Sequence, residues 1–215
     1  MIFLYFLIFF NVIFGIEKYE ATSSFDLKFD KDLGIVKIHL PEGIVNVYNN
    51  SEGVRISGKI VLYHREKEKA EFFVKRVKVE AEREGNSLKI FDNYSRDREG
   101  REAKKLSKLF ILNLYVPKDL PLGIYLKKGE VSFKDIQERG IVIEGKDLRI
   151  SGSFSKRYKR IEAYSHFGRL EFKAKNFIKR YLFPFGKKVI YLNPEGEKEG
   201  DFRIFKGCMD LKIEE

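Results

Sequence analysis

The sequence predicts a mainly β protein, built as a β-solenoid-like coil of short strands with one inserted helix; an irregular β-sandwich is the alternative. Beyond residue 24, apolar residues recur at nearly every second position, as in "LGIVKIHL", which places Val36, Ile38 and Leu40 on one face. Glycines recur about ten residues apart and end the strands. The coil is favoured because "VRISG" recurs as "LRISG" and because the chain contains no Asn-Gly or Asp-Gly hairpin turn.

Residues 1–15 predict a signal peptide or an N-terminal anchor. The segment from Ile2 to Gly15 carries no charge, and it is shorter than the ~20 apolar residues of a membrane-spanning helix. A buried N-terminal strand or helix is the alternative. The export interpretation predicts a secreted, periplasmic or cell-surface location for a single β-rich domain over residues 16–215.

Residues 65–76 interrupt the strands with a predicted helix, because Ala70, Phe73 and Val74 lie at helical spacing. Two strands and a turn follow, and residues 93–108 are rich in both charge signs, which predicts an exposed loop. Pro117 and Pro121 then mark strand ends, since proline cannot donate a hydrogen bond within a sheet.

Residues 34–175 resemble a secreted β-solenoid family of adhesin-like proteins. The resemblance rests on "VRISG" leading into the helix and on "VPKDLPLGI" followed by "KGEVSFKDI". It implies a right-handed β-coil domain at the cell surface or in the periplasm, and it brings no catalytic residues. The chain differs from this family in being poor in glycine and strongly basic, which predicts a short, less regular coil.

The charge balance favours polyanionic partners. The chain has 42 Lys and Arg against 32 Asp and Glu, a net charge of +10. Cys208 is the only cysteine, so no intramolecular disulfide can form. Abundant Lys, Arg and Glu are also typical of proteins from thermophiles.

Residues 156–180 carry most of the net charge, with nine cations against Glu162 and Glu171. We call the nine cations the basic stripe: Lys156, Arg157, Lys159, Arg160, Arg169, Lys173, Lys175, Lys179 and Arg180. If they line one face of the strands, they form a site for an acidic glycan, lipopolysaccharide or anionic lipid. Nucleic acid is the least favoured partner, because export would separate the protein from it. The alternative is that these charges only solvate the outer face.

The sequence does not predict catalysis. His39, His64 and His166 are far apart and not at metal-ligand spacing, and His166 lies in "YSHFG", which we interpret as a turn. No nucleophile elbow, phosphate loop or dinucleotide motif occurs in the chain. We therefore expect a non-catalytic cell-envelope protein with an adhesion or scaffolding role and without a metal or cofactor. A polyanion-binding module is the first alternative, and a polysaccharide-active β-solenoid enzyme is the second.

The segment after residue 181 predicts further strands. We expect these strands to cap the open end of the coil, because an exposed end invites pairing with other chains.

Overall fold

The computed structural model describes residues 19–30, 32–93, 107–182 and 185–214, which are mainly strand. Within them, one helix, α1 (Lys67–Val74), follows the third of twelve strands. The strands are β1 (Tyr19–Phe29), β2 (Ile35–Asn50), β3 (Val54–His64), β4 (Val79–Glu84), β5 (Ser87–Asp92), β6 (Ser107–Pro117), β7 (Leu122–Phe133), β8 (Ile141–Ser155), β9 (Tyr158–Lys173), β10 (Phe177–Leu182), β11 (Gly186–Leu192) and β12 (Lys198–Glu214). The prediction of a mainly β chain with one helix is confirmed. The predicted signal segment 1–15 and most of the predicted charged loop 93–108 lie outside the described residues.

The alternating pattern of the sequence is reproduced in the strands. Val36, Ile38 and Leu40 of β2 are buried, as predicted, because successive side chains of a strand point to opposite faces. Pro117 is the last residue of β6, and Pro121 immediately precedes β7, so both prolines lie at strand ends as expected.

The strands form one mixed sheet with the order β1-β3-β6-β2-β7-β8-β12-β9-β11-β10, and β5 joins β2 to β4 beside this path. Its middle is parallel: β2, β7, β8, β12 and β9 all run in one direction. Both outer parts contain antiparallel pairs, such as β1 with β3 and β10 with β11. The sheet is not closed, and its strand pairing does not establish the predicted β-solenoid, which stays a prediction.

The C-terminal strand lies in the middle of the sheet, so the prediction that the strands after residue 181 all cap one end is wrong. β12 pairs along its length with β8 on one side and with β9 on the other. β10 and β11 do lie at one end of the strand order. Sequence reasoning placed the last strand by its position in the chain, whereas parallel pairing depends on contacts remote in sequence.

Glycines occupy one common level in the parallel strands. Gly43 is paired with Gly129, and Gly207 with Gly168, while Leu148 of β8 lies between these two pairs. Gly129 has a φ of 143°, and a Cβ atom there would lie 1.8 Å from the carbonyl oxygen of Gly43. Only a residue without a side chain allows the two backbones to come this close. We call the row formed by Gly43, Gly129, Gly207 and Gly168 the glycine ladder.

The parallel strands fold over the core on either side of the glycine ladder. Phe154 of β8 pairs with Ile213 at one end of β12, yet its ring lies 5.3 Å from that of Phe202 at the other end of β12. We call the two halves of a long strand, before and after the glycine ladder, its arms. The two arms therefore face each other, and the apolar side chains between them form one core. The outer faces of both arms carry the polar side chains together with some exposed aromatic rings, such as Phe205.

The loop between β7 and β8 joins the free ends of the two arms. Lys134 donates its backbone N–H to Val47 in one arm, at 2.9 Å, and Gly140 accepts at 2.9 Å from Leu122 in the other. The loop also carries Arg139, which is fully buried and donates from Nη2 to the Asn49 side chain. Burial lowers the pKa of Arg139 to about 10.

Candidate functional site

A groove of about 960 Å³ crosses the outer face of the sheet beside the glycine ladder. It extends over the five parallel strands from β2 to β9, a distance of about 19 Å at the usual spacing of neighbouring strands, and β5 adds Lys89 and Phe91 beside β2. Its lining combines four cations and several aromatic rings with one carboxylate: His39, Leu40, Pro41, Lys89, Phe91, Tyr125, Leu126, Lys127, Glu144, Gly145, Lys146, Tyr164, His166, Arg203, Ile204 and Phe205.

The first row of groove residues follows from the strand register. His39 is paired with Tyr125, Tyr125 with Glu144, Glu144 with Arg203, and Arg203 with Tyr164. Paired residues of parallel strands point to the same face, so these five side chains form one line across the sheet. Aromatic side chains occupy both ends of the line, and the ion pair of Glu144 with Arg203, at 3.8 Å, occupies its middle.

A second row lies between the first row and the glycine ladder. It contains Pro41, Lys127, Lys146, Phe205 and His166, one from each strand. Between the rows, Gly145 lies level with Leu126 and Ile204, whose side chains are buried in the core. A Cβ atom at this position would lie 2.3 Å from the carbonyl oxygen of Leu126, so a larger residue cannot be accommodated without a backbone shift.

The cations of the groove differ in how they are neutralised. Arg203 donates to both carboxylate oxygens of Asp201 and also lies near Glu144. Lys127 and Lys146 are exposed on neighbouring strands, and no acidic partner of either is found among the described residues. Adjacent like charges on a sheet are destabilising, so this pair is the part of the groove best placed to attract an anion.

His39 is held in an orientation suited to stacking. Its ring lies parallel to the ring of Tyr125, with 4.5 Å between centroids and 11° between planes. Burial lowers the pKa of His39, and the charges of Lys89 and Lys37 lower it further. His39 is therefore a neutral aromatic surface at neutral pH.

His166 lies at the opposite end of the groove. The sequence interpretation of "YSHFG" as a turn is wrong, because the whole segment belongs to β9. The Nδ1 atom of His166 is 3.0 Å from the hydroxyl oxygen of Tyr164, and its ring stacks on Phe205 with 5.1 Å between centroids. His39 and His166, which appear unrelated in the sequence, thus flank one groove.

The basic stripe is not a single surface line. Lys156 and Arg157 form the turn between β8 and β9, and Lys159 and Arg160 begin β9. Arg169 and Lys173 lie beyond the glycine ladder in the other arm of β9, with Lys175 just after it. Lys179 and Arg180 belong to β10. Arg160 and Lys173 lie on the outer faces of the two arms of β9, on opposite sides of the core, so the nine side chains do not converge.

Several members of the basic stripe have acidic partners. Arg157 lies 3.3 Å from Glu138 and 3.6 Å from Glu197. Arg160 pairs with Glu162, and Arg169 lies 3.5 Å from Glu171. All nine positions are exposed, as the prediction requires. Their binding role stays a prediction.

Sequence reasoning missed most of the groove. Lys127, Lys146, Arg203 and Phe205 come from three strands that are separated in the sequence, and each one resembles an ordinary surface residue of its own strand. One signal in the sequence indicates the second row of the groove. Four of its residues stand two positions before a glycine of the ladder, in "PEG", "KKG", "HFG" and "FKG": Pro41, Lys127, His166 and Phe205.

No group of three or more His, Cys, Asp or Glu side chains is arranged to hold a metal ion in the part of the chain that the structure describes. None of the described helices has the length and apolar character needed to span a bilayer.

Comparison with known proteins gives only distant similarities. No protein-family profile matches the sequence, and no curated protein matches it. Among solved structures, a "putative cell adhesion protein" from Clostridium sporogenes is 13% identical with a TM-score of 0.46, and the match covers 90% of this chain and 100% of that one. A "putative adhesin" from Parabacteroides merdae is 9% identical with a TM-score of 0.32, covering 90% and 96%. A "putative lipid binding protein" from Parabacteroides distasonis is 9% identical with a TM-score of 0.26, covering 90% and 97%. TM-scores below 0.5 are too low to assign a fold or a function from these structures.

Proposed function

We propose that this chain is a non-catalytic binding protein of the cell envelope, secreted or at the cell surface, which holds an acidic glycan in the groove. The observation that carries the proposal is the convergence of aromatic rings and unneutralised lysines from five strands on one concave surface. Binding sites are typically concave and largely apolar, with a few polar groups that give specificity.

The chemistry of the groove fits an acidic sugar chain. The C–H bonds of a sugar ring pack well against flat aromatic faces, and the His39–Tyr125 stack and Phe205 supply such faces on opposite sides of the groove. Lys127 and Lys146 lie between them, where they can pair with carboxylate or sulfate groups. A length of about 19 Å suits an extended chain rather than a single small molecule.

The groove is poorly equipped for glycoside hydrolysis. That reaction generally uses two carboxylic groups that flank the bond to be cleaved. Glu144 is the one carboxylate in the lining, and it lies 3.8 Å from Arg203. This arrangement supports a binding role in adhesion or scaffolding over an enzymatic role.

The β-solenoid fold is part of the same proposal. It is supported by β7 and β8, which pair in parallel with Leu122 opposite Ile141, after a chain passage through the loop at residues 134–140. Successive coils of a solenoid stack in this way, and their outer faces form the extended binding surfaces that such proteins use.

Affinity for heparin oligosaccharides, measured by calorimetry over a range of salt concentrations, tests the glycan site. We expect Lys127→Ser with Lys146→Ser to weaken binding at least about tenfold and to lower its salt dependence, since two ion pairs with the ligand are lost. Tyr125→Ala, which leaves the charge unchanged, should also weaken binding, because it removes a stacking face.

Two matched variants make the test specific. Lys118→Ser with Lys134→Ser removes the same charge from the loop side of the sheet, and this variant should bind like the unaltered chain. Changing Lys156, Arg157, Lys159 and Arg160 to Ser tests the basic stripe. If this variant loses binding while the groove variants keep it, the groove is not the site and the stripe is.

A further inference from the structure

We propose that the hairpin of β10 and β11 docks this protein on an anionic membrane surface, with Tyr181, Leu182 and Phe185 entering the interfacial layer of the lipid. The hairpin is outside the groove lining, which its apolar surface meets at Phe205, and docking on lipid goes beyond the glycan-binding proposal. It rests on the exposure, the charge and the edge position of the hairpin.

The first observation is the exposure of apolar side chains. All six residues of β10 are exposed, and the strand forms one end of the sheet, where it pairs only with β11 among the described strands. Tyr181 is 73% exposed and Phe185 64%, and Phe177, Ile178 and Leu182 are exposed as well. Contiguous exposed apolar surface on a folded protein marks an interaction site.

The apolar residues occupy both faces of the strand. Phe177 and Tyr181 share a face with the buried Val189 and Tyr191 of β11, whereas Ile178 and Leu182 point to the other side. A protein partner that covered one face would leave the other in water. Insertion into a lipid interface covers both faces at once.

The second observation is the charge. Residues 172–194 contain six cations and no Asp or Glu. Lys179 and Arg180 are exposed within β10, between the apolar residues, and Lys179 lies 5.5 Å from the ring of Tyr181. Lys188 pairs with Glu162, so one of these cations is neutralised, and the net charge of the hairpin stays strongly positive because the others remain. Basic residues that alternate with aromatic and aliphatic residues are typical of segments that lie in an anionic membrane interface.

The third observation is a neighbouring group of exposed rings. Phe167 lies 5.6 Å from Phe185, and Phe205 lies 5.4 Å from Phe167. Phe167 and Phe205 are 39% and 47% exposed. The apolar surface therefore continues from the hairpin onto β9 and β12, as an area rather than a single protruding side chain.

Charge selects lipid over a second copy of this chain. Pairing of two β10 edges would place two groups of cations against each other, and such repulsion protects exposed edge strands from association. An anionic lipid surface complements the same cations. Each Lys or Arg near such a surface strengthens binding by about fivefold.

Single tryptophan variants test the insertion directly, because the unaltered chain contains no Trp. We expect the fluorescence of the Tyr181→Trp variant to shift to shorter wavelength when vesicles of phosphatidylcholine with phosphatidylglycerol are added. Vesicles of phosphatidylcholine alone should give a much smaller shift. Phe72→Trp is the matched control, since Phe72 is 48% exposed on α1, and its fluorescence should not change.

Charge variants measured by vesicle flotation complete the test. Lys179→Ser with Arg180→Ser should bind the anionic vesicles at least about tenfold more weakly. Lys118→Ser with Lys134→Ser should retain most of the binding, and so should the groove variant Lys127→Ser with Lys146→Ser. An unchanged thermal unfolding midpoint, measured by circular dichroism, verifies that each variant is folded.

Three results would overturn the proposal. The first is the absence of a shift for Tyr181→Trp with anionic vesicles, and the second is an equal shift for Phe72→Trp. The third is a shift that rises with protein concentration and needs no lipid, which would identify a second copy of the chain as the partner of the hairpin.

Discussion

At the scale of single residues, the glycine ladder is the part of the structure least tolerant of change. The φ of 143° at Gly129 is rare for a residue with a side chain, and a Cβ atom would collide with the backbone of Gly43. We expect Gly129→Ala to lower the free energy of unfolding in urea by at least about 2 kcal/mol. Gly140→Ala is the control, because the nearest atoms lie 3.9 Å from its Cβ position. If the two variants were equally stable, adding a side chain at the glycine ladder would cost no stability, and this prediction would be wrong.

His39 makes stability depend on pH. Burial and the neighbouring lysines lower the pKa of His39 in the folded state, so the unfolded chain takes up the proton first as the pH falls. The resulting stabilisation is complete above the ordinary histidine pKa of 6.5 and is lost as the pH falls from there towards the folded pKa. The unaltered chain should therefore lose more unfolding free energy between pH 7.5 and 5.5 than the His39→Gln variant. Equal losses in urea titrations would contradict this.

At the scale of elements, β12 contains a matched pair of aromatic residues with opposite environments. Phe202 is fully buried and packs on Phe154 from the facing arm, whereas Phe205 is 47% exposed in the groove. We expect Phe202→Ala to cost about 3–5 kcal/mol of unfolding free energy and Phe205→Ala less than about 1 kcal/mol. Similar costs for the two variants would mean that the arms do not enclose a common core.

The strands themselves could be predicted from the sequence, because the alternation of Val36, Ile38 and Leu40 is a local property of one strand. The place of β12 could not, since nothing within residues 198–214 specifies that β8 and β9 are its neighbours. The groove was missed for the same reason. Tyr125 and Arg203 become neighbours of Glu144 only through pairing between distant segments. The burial of Arg139 could not be predicted either, because an arginine among the charged residues of a loop is normally exposed.

At the scale of the whole molecule, β12 determines whether the sheet is continuous. β8 and β9 do not pair with each other, and β12 supplies Phe202, Ile204, Met209 and Leu211 to the core. A chain that ends at residue 197 should therefore show no cooperative thermal transition in circular dichroism, since two strand edges and part of the core would be open to water. A sharp transition near that of the full chain would show instead that the two halves fold independently.

The position of β12 also has a consequence for how the protein is made. A ribosome delivers β8 and β9 well before residues 198–214, so the two strands must wait for the partner that separates them. Parallel pairing between remote segments forms slowly in any case. The sheet therefore stays open between β8 and β9 until residues 198–214 have been made, and any shorter nascent chain carries two unpaired strand edges at this point.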